Sequence, residues 1–138
     1  NLIQREEERE MIPFCQDQNI AVLPWSPLAR GRLTRDWDQS STRQESDVYG
    51  RTLYTATEDS DRAIVAAVKK VAEERGVPRA QVALSWVAHR SGVTAPIVGA
   101  SKPHHLDDAV AAIDLVLSDE ETETLEKAYG PHPLVGFE

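Results

Sequence analysis

The chain has 138 residues, 41% apolar and 28% charged, with a net charge of −8 at neutral pH. That balance belongs to one globular domain and excludes a disordered tail. It also excludes a general nucleic-acid binder, which needs clustered cations, and no apolar run approaches the roughly 20 residues of a membrane-spanning helix.

Residues 6–19 carry a helical pattern with Met11, Phe14, Cys15 and Gln18 on one side, and Pro13 either starts or kinks its regular part. Cys15 is the only cysteine, so no internal disulfide can form and a reducing compartment, the cytoplasm, is expected. On its apolar helix face it reads as core. The run NIAVLPW, residues 19–25, reads as a buried strand ending near Pro24. A long polar stretch without a clean period follows, with Trp37 packed inside it and Arg30, Arg32 and Arg35 crowded at its start. Loops of that length are usually functional.

Residues 61–75 form a helix with Ile64, Val65, Val68, Val71 and Ala72 in one stripe, stopped at Gly76. Pro78 opens the next helix, apolar nearly all round, with Val82, Trp86 and His89 sharing a face up to Gly92. Its burial makes His89 a core histidine. TAPIV, residues 94–98, is the second strand, and Pro103 opens a third helix carrying Leu106, Ala109, Val110 and Ile113. Ser118 and Glu121 make a capping box for a last helix running to Tyr129, closed by Gly130 and Pro131. Strands alternating with helices predict a parallel α/β arrangement. Two parallel strands cannot bury their own faces or remove their own edges, so more sheet is expected beside them.

Both strands end in loops of unusual composition, WSPLARGRL and GASKPHHL, at the strand C-termini where parallel α/β proteins hold ligands. Gly99, Ala100 and Ser101 let backbone amides approach closely, the helix after Pro103 points its positive end at them, and Lys102 adds a charge. A plain strand-to-helix turn with a surface lysine has the same local sequence. The motif alone leaves both readings open. His104 and His105 lack a cysteine or acidic cluster at ligand spacing, so no metal site is expected.

Taken together, PWSPLARGRL and PIVGASKPHHLDDAV resemble the stretches after strands seven and eight of an aldo-keto reductase, in its bacterial branch akin to potassium-channel β-subunits. The resemblance runs through residues 1–138 and implies the C-terminal part of a single (β/α)8 TIM-barrel domain: strands seven and eight, their helices and two extra helices. It implies an NADPH-dependent reduction of aldehydes or ketones, with NADP(H) as cofactor and a small carbonyl compound as substrate. Trp25 would stack on the nicotinamide. Ser26, Pro27, Leu28 and Ala29 would wrap the pyrophosphate, with Arg30 nearby, and Arg43 would fold over the adenosine. Gly99, Ser101 and Lys102 would hold the 2′-phosphate, His105 stands where the family often has Gln, and Asp108 would accept from the adenine amine. Ala109 replaces the usual Asn, which removes one adenine contact.

The catalytic Asp, Tyr, Lys and His of that family have no matching motif here, and Tyr49, Tyr54 and Tyr129 lie outside any matching context. No catalytic residue is therefore expected in this chain, and alone it should reduce nothing. Either the rest of the barrel or self-association should cover its strands. A nucleotide-sensing regulatory subunit of the same fold is the rival expectation.

Overall fold

The computed structural model describes residues 1–39 and 58–131. A 3-10 turn, Glu6–Glu8, leads into helix α1, Met11–Asp17. Pro13 is the third residue of α1, inside the first turn, where no intrahelical hydrogen bond is lost. The regular helix thus begins near Pro13, one of the two expected outcomes, and ends at Asp17, short of residue 19. Its apolar side also does not behave as one buried face: Cys15 is buried, whereas Met11 and Phe14 stand more than half exposed and Gln18 is exposed.

Helix α2, Glu58–Arg75, buries the whole expected stripe from Ile64 to Ala72. Gly76 ends it with φ +66, its amide bonding to Glu73 O while the Val77 amide reaches Ala72 O. That pairing is a Schellman closure, and the left-handed backbone suits a residue without Cβ. Helix α3, Arg79–Ala88, has Pro78 at its N-cap and every side chain from Val82 to Val87 buried. It is the central element, lying between α2 and helix α4, Pro103–Asp114. The Ser85 hydroxyl donates to the Leu115 carbonyl at the end of α4. Helix α5, Asp119–Glu126, begins with both halves of the capping box, Glu121 N to Ser118 Oγ at 3.2 Å and Ser118 N to a Glu121 carboxylate oxygen at 2.7 Å. It stops short of the expected Tyr129.

Residues 19–25 and 93–97 run parallel, but they meet through a single bridge, Trp25 to Ile97, and not as two laddered strands. The Thr94 amide donates to Val22 O at 2.9 Å and the Ile97 amide to Pro24 O at 2.8 Å. Pro24 and Pro96 have no N–H to give, and the Val22 amide turns to the Thr94 hydroxyl at 3.1 Å. With those donors missing, a regular ladder cannot propagate.

Leu2, Ile3, Leu33, Ile64, Val82 and Leu125 lie at the centre of one apolar core. His89 is a correction: it caps the C-terminus of α3 as an exposed residue, its Nδ1 beside Ser85 O at 2.9 Å, because the helix has turned its last residue to solvent. The stripe expected to bury α4 is also turned outward, with Leu106, Val110 and Ile113 each about 60% exposed, while Ala112 packs inward. Trp37 is half-buried against the core, donates to Glu58, and lies under the Arg32 and Arg62 guanidinium groups. Among the described residues no helix is long and apolar enough to cross a membrane.

Candidate functional site

The parallel pairing of Trp25 with Ile97 sends both following loops off the same end of the extended pair. The first loop is built on an unusual backbone. Ser26, Ala29 and Arg30 have φ of 51°, 48° and 57°, and Gly31 follows at 88°. Non-glycine residues in this region each cost on the order of 1 kcal/mol or more and persist only where surroundings over-determine them. Here the loop's own bonds do so: Ala29 N to Ser26 O at 2.9 Å, Arg30 N to Ser26 Oγ at 3.0 Å and Gly31 N to Leu28 O at 2.9 Å. The Asn1 side chain adds a bond to Ser26 O at 3.1 Å.

This arrangement divides the residues singled out in the sequence. Pro27 and Ala29 are buried and Leu28 packs against the core, so they anchor the loop. The amides of Ala29, Arg30 and Gly31 are already committed to the loop's own oxygens. Trp25, by contrast, is 57% exposed at the loop's entrance. The left-handed run at residues 29–31 had no signal in the sequence beyond Gly31.

In the second loop Gly99, Ser101 and Lys102 are all exposed. A Cβ added at Gly99 would meet nothing within 4 Å, so nothing in the described chain excludes a side chain there. Lys102 is the extended N-cap of α4, followed by Pro103, and the first turn carries no acidic residue. Among the described residues Lys102 makes no ion pair. The positive end of a 12-residue helix therefore faces the same loop as the lysine. His105 turns back on this loop, its Nδ1 accepting from the Ser101 amide at 3.4 Å, with the His104 ring edge-on beside it.

Asp108 lies half-buried one turn further along α4, its Oδ1 accepting from Gln81 Nε2 at 2.8 Å. Gln81 was not singled out in the sequence. The available signal was its place as a lone polar residue opening the apolar run of α3. Arg43 lies outside the described residues. Tyr129 donates to Glu6 at 2.9 Å, and burial, with that hydrogen bond, pushes its phenol up to about 12, so its proton is held in structural use.

An ammonium, a hydroxyl and a helix N-terminus in one loop, with an exposed indole at the mouth of the other, make a donor set suited to a polyanion joined to flat rings. The model of the aldo/keto reductase family matches residues 1–130. Versiconal hemiacetal acetate reductase of Aspergillus parasiticus is 45% identical over 96% of this chain, which spans 40% of that protein. A putative aryl-alcohol dehydrogenase of Schizosaccharomyces pombe is 44% identical over 99% of the chain and 38% of its own length. Among solved structures, a glycerol dehydrogenase from Gluconobacter oxydans superposes with a TM-score of 0.76 at 24% identity, covering 97% of this chain and 42% of that one. The described residues accordingly share their fold with part of the (β/α)8 barrel of that neighbour.

Proposed function

The chain belongs to the aldo/keto reductase family, and on that premise we propose that it is the cofactor-gripping, C-terminal part of an NADPH-dependent reductase of aldehydes and ketones. The observation that carries the reading is the parallel Trp25–Ile97 pairing, with an exposed indole before one loop and a lysine-bearing helix N-terminus after the other. Bound NADPH would supply the hydride, and this chain's residues grip and orient the carrier. Trp25 offers an aromatic face to the nicotinamide. The backbone around Ser26 and the Arg30 side chain would meet the pyrophosphate, with Pro27, Leu28 and Ala29 anchoring the loop that carries them. Ser101 and Lys102, with the N-terminus of α4, hold the 2′-phosphate, and Asp108 accepts from the adenine amine.

Tyr129 does not supply the proton that completes carbonyl reduction, since it is tied to Glu6 with its acidity suppressed. The remainder of the barrel covers the apolar side of α1, the extended pair and α4. The substrate is a small carbonyl compound bound mainly by those other residues.

The test is nucleotide discrimination. The 2′-phosphate of NADPH carries close to two negative charges, which NADH lacks. A charge-assisted hydrogen bond to a bound phosphate contributes about 1.5–3 kcal/mol, so Lys102→Ala should weaken NADPH roughly ten- to a hundredfold and leave NADH nearly unchanged. Equal losses for both nucleotides, read by fluorescence titration, would overturn the assignment.

A further inference from the structure

We propose that Gln81 is the positioning residue that aims the Asp108 carboxylate, and that the preference of the site for an amine-bearing base depends on it. The proposal rests on the nucleotide function proposed for this site. Its basis is one link between two helices. Gln81 sits in the first turn of α3, where the run from Val82 to Val87 is buried, so its backbone is fixed by the core. Its Nε2 crosses to Asp108 Oδ1 on α4 at 2.8 Å.

Among the described residues this is the only hydrogen bond the Asp108 side chain makes, so one carboxylate oxygen is pinned and Oδ2 keeps its lone pairs for a donor. A carboxylate held by one oxygen has already lost the freedom to swing about its terminal torsion. It therefore gives up less on accepting a ligand N–H. Ionised, it can accept only. An adenine amine donates to it, whereas hypoxanthine, with a carbonyl at the same ring position, would set acceptor against acceptor. A polar site built for an N–H rejects the analogue that lacks it. Without Gln81 the carboxylate is free to turn to solvent, and that discrimination fades.

The experiment uses the full-length protein and two probes, NADPH and reduced nicotinamide hypoxanthine dinucleotide phosphate, titrated by tryptophan quenching. The unmodified protein should prefer NADPH by about tenfold or more, the worth of one charge-assisted hydrogen bond. Asp108→Ala should bring the ratio near unity. Gln81→Leu should lower it by about threefold or more, leave the NADPH-to-NADH ratio unchanged, and add nothing to Asp108→Ala, because it acts through that carboxylate. Gln81→Glu, nearly equal in size, sets like charges together and should lower the base ratio as well, which guards against a folding defect of the leucine variant.

If both Gln81 variants keep the base preference while Asp108→Ala loses it, the link is only helix packing and the positioning role is refuted. Failure of the unmodified protein to bind either probe would overturn the nucleotide site itself. Equal binding of both probes would overturn the role of Asp108, and with it that of Gln81.

Discussion

Glu126→Ala is the substitution whose cost the structure defines best. One Glu126 oxygen accepts from Trp86 Nε1 and from Arg90 Nη1, both at 2.9 Å, and the other accepts from Arg5 Nη2 at 2.9 Å. Arg5 and Arg90 also hold Glu8, so four alternating charges close a ring joining the N-terminal turn to α3 and α5. Both guanidinium groups lie over the Trp86 ring, within about 5 Å of its centre. Removing the carboxylate leaves the indole N–H of a residue only 4% exposed without its acceptor, a loss of about 1–3 kcal/mol. The two arginines keep Glu8, and their exposures of 12% and 30% place each lost pair nearer the surface value, about 0.5–1 kcal/mol. The sum is about 2–5 kcal/mol, a shift of roughly 1–2.5 M in the urea midpoint at a slope of about 2 kcal/mol/M. Urea unfolding followed by tryptophan fluorescence measures it. Glu74→Ala, in an exposed pair with Lys70 at 3.9 Å, should leave the midpoint unchanged. Equal midpoints for the two variants would refute the claim that burial and the stranded indole donor set the cost.

Acid should act through Glu121, whose carboxyl is held down at about 2, first of all by its hydrogen bonds from Arg75. A folded value below the ordinary carboxylate range stabilises at pH above about 5, and the contribution is lost as pH falls toward 2; Glu121→Gln should therefore flatten thermal stability across that window, and parallel curves would count against it. The outward stripe of α4 should drive association. Leu106, Val110 and Ile113 each leave more than half their surface in water, with about 1 kcal/mol apiece still to be gained by burial. Sedimentation velocity should find the chain associating at micromolar concentration, and Leu106→Lys with Val110→Lys should reduce this. A monodisperse unsubstituted monomer would overturn the view that this face is normally covered.

The features legible in the sequence were local. The capping box of Ser118 and Glu121, the glycine stop at Gly76 and the all-round apolar run of α3 are set by neighbours a few residues away, and all three stand in the structure. The strands were legible only as extended segments, because Pro24 and Pro96 remove the donors that would have made them a ladder. Side-chain partners distant in sequence were not legible at all. Gln81 with Asp108, and Arg5 with Glu126, are paired by helix packing that no periodicity encodes. His89 misled because a helical face continues in the pattern after the helix itself has ended. At the candidate site, both loops follow one end of the extended pair, as the strand order in the sequence placed them, but which of their residues are buried was not legible. The burial of Pro27 and Ala29 follows from a backbone at Ala29 and Arg30 that their residue types do not announce.

Trp25 shows why exposure by itself does not mark a binding residue here. Ile20, Leu23 and Ile97 on the same extended pair are as bare as Trp25, at 51%, 55% and 56% against its 57%. Along residues 21–25 exposure alternates, with Ala21, Leu23 and Trp25 exposed and Val22 and Pro24 half-buried, which is the period of a strand even where no ladder forms. Such a face is shaped for a neighbour of its own kind, and the exposed stripe of α4 repeats the pattern at helical spacing. The sheet neighbours proposed for the barrel would cover Leu23. Trp25 differs in its position at the end of the run: the left-handed turn beginning at Ser26 stops the extended backbone, so the indole stands at the rim beside the loops. The feature on which the proposed ligand-facing role of Trp25 rests, against the merely uncovered residues beside it, is thus the adjoining turn, held in a strained backbone by bonds from Ala29, Arg30 and Gly31.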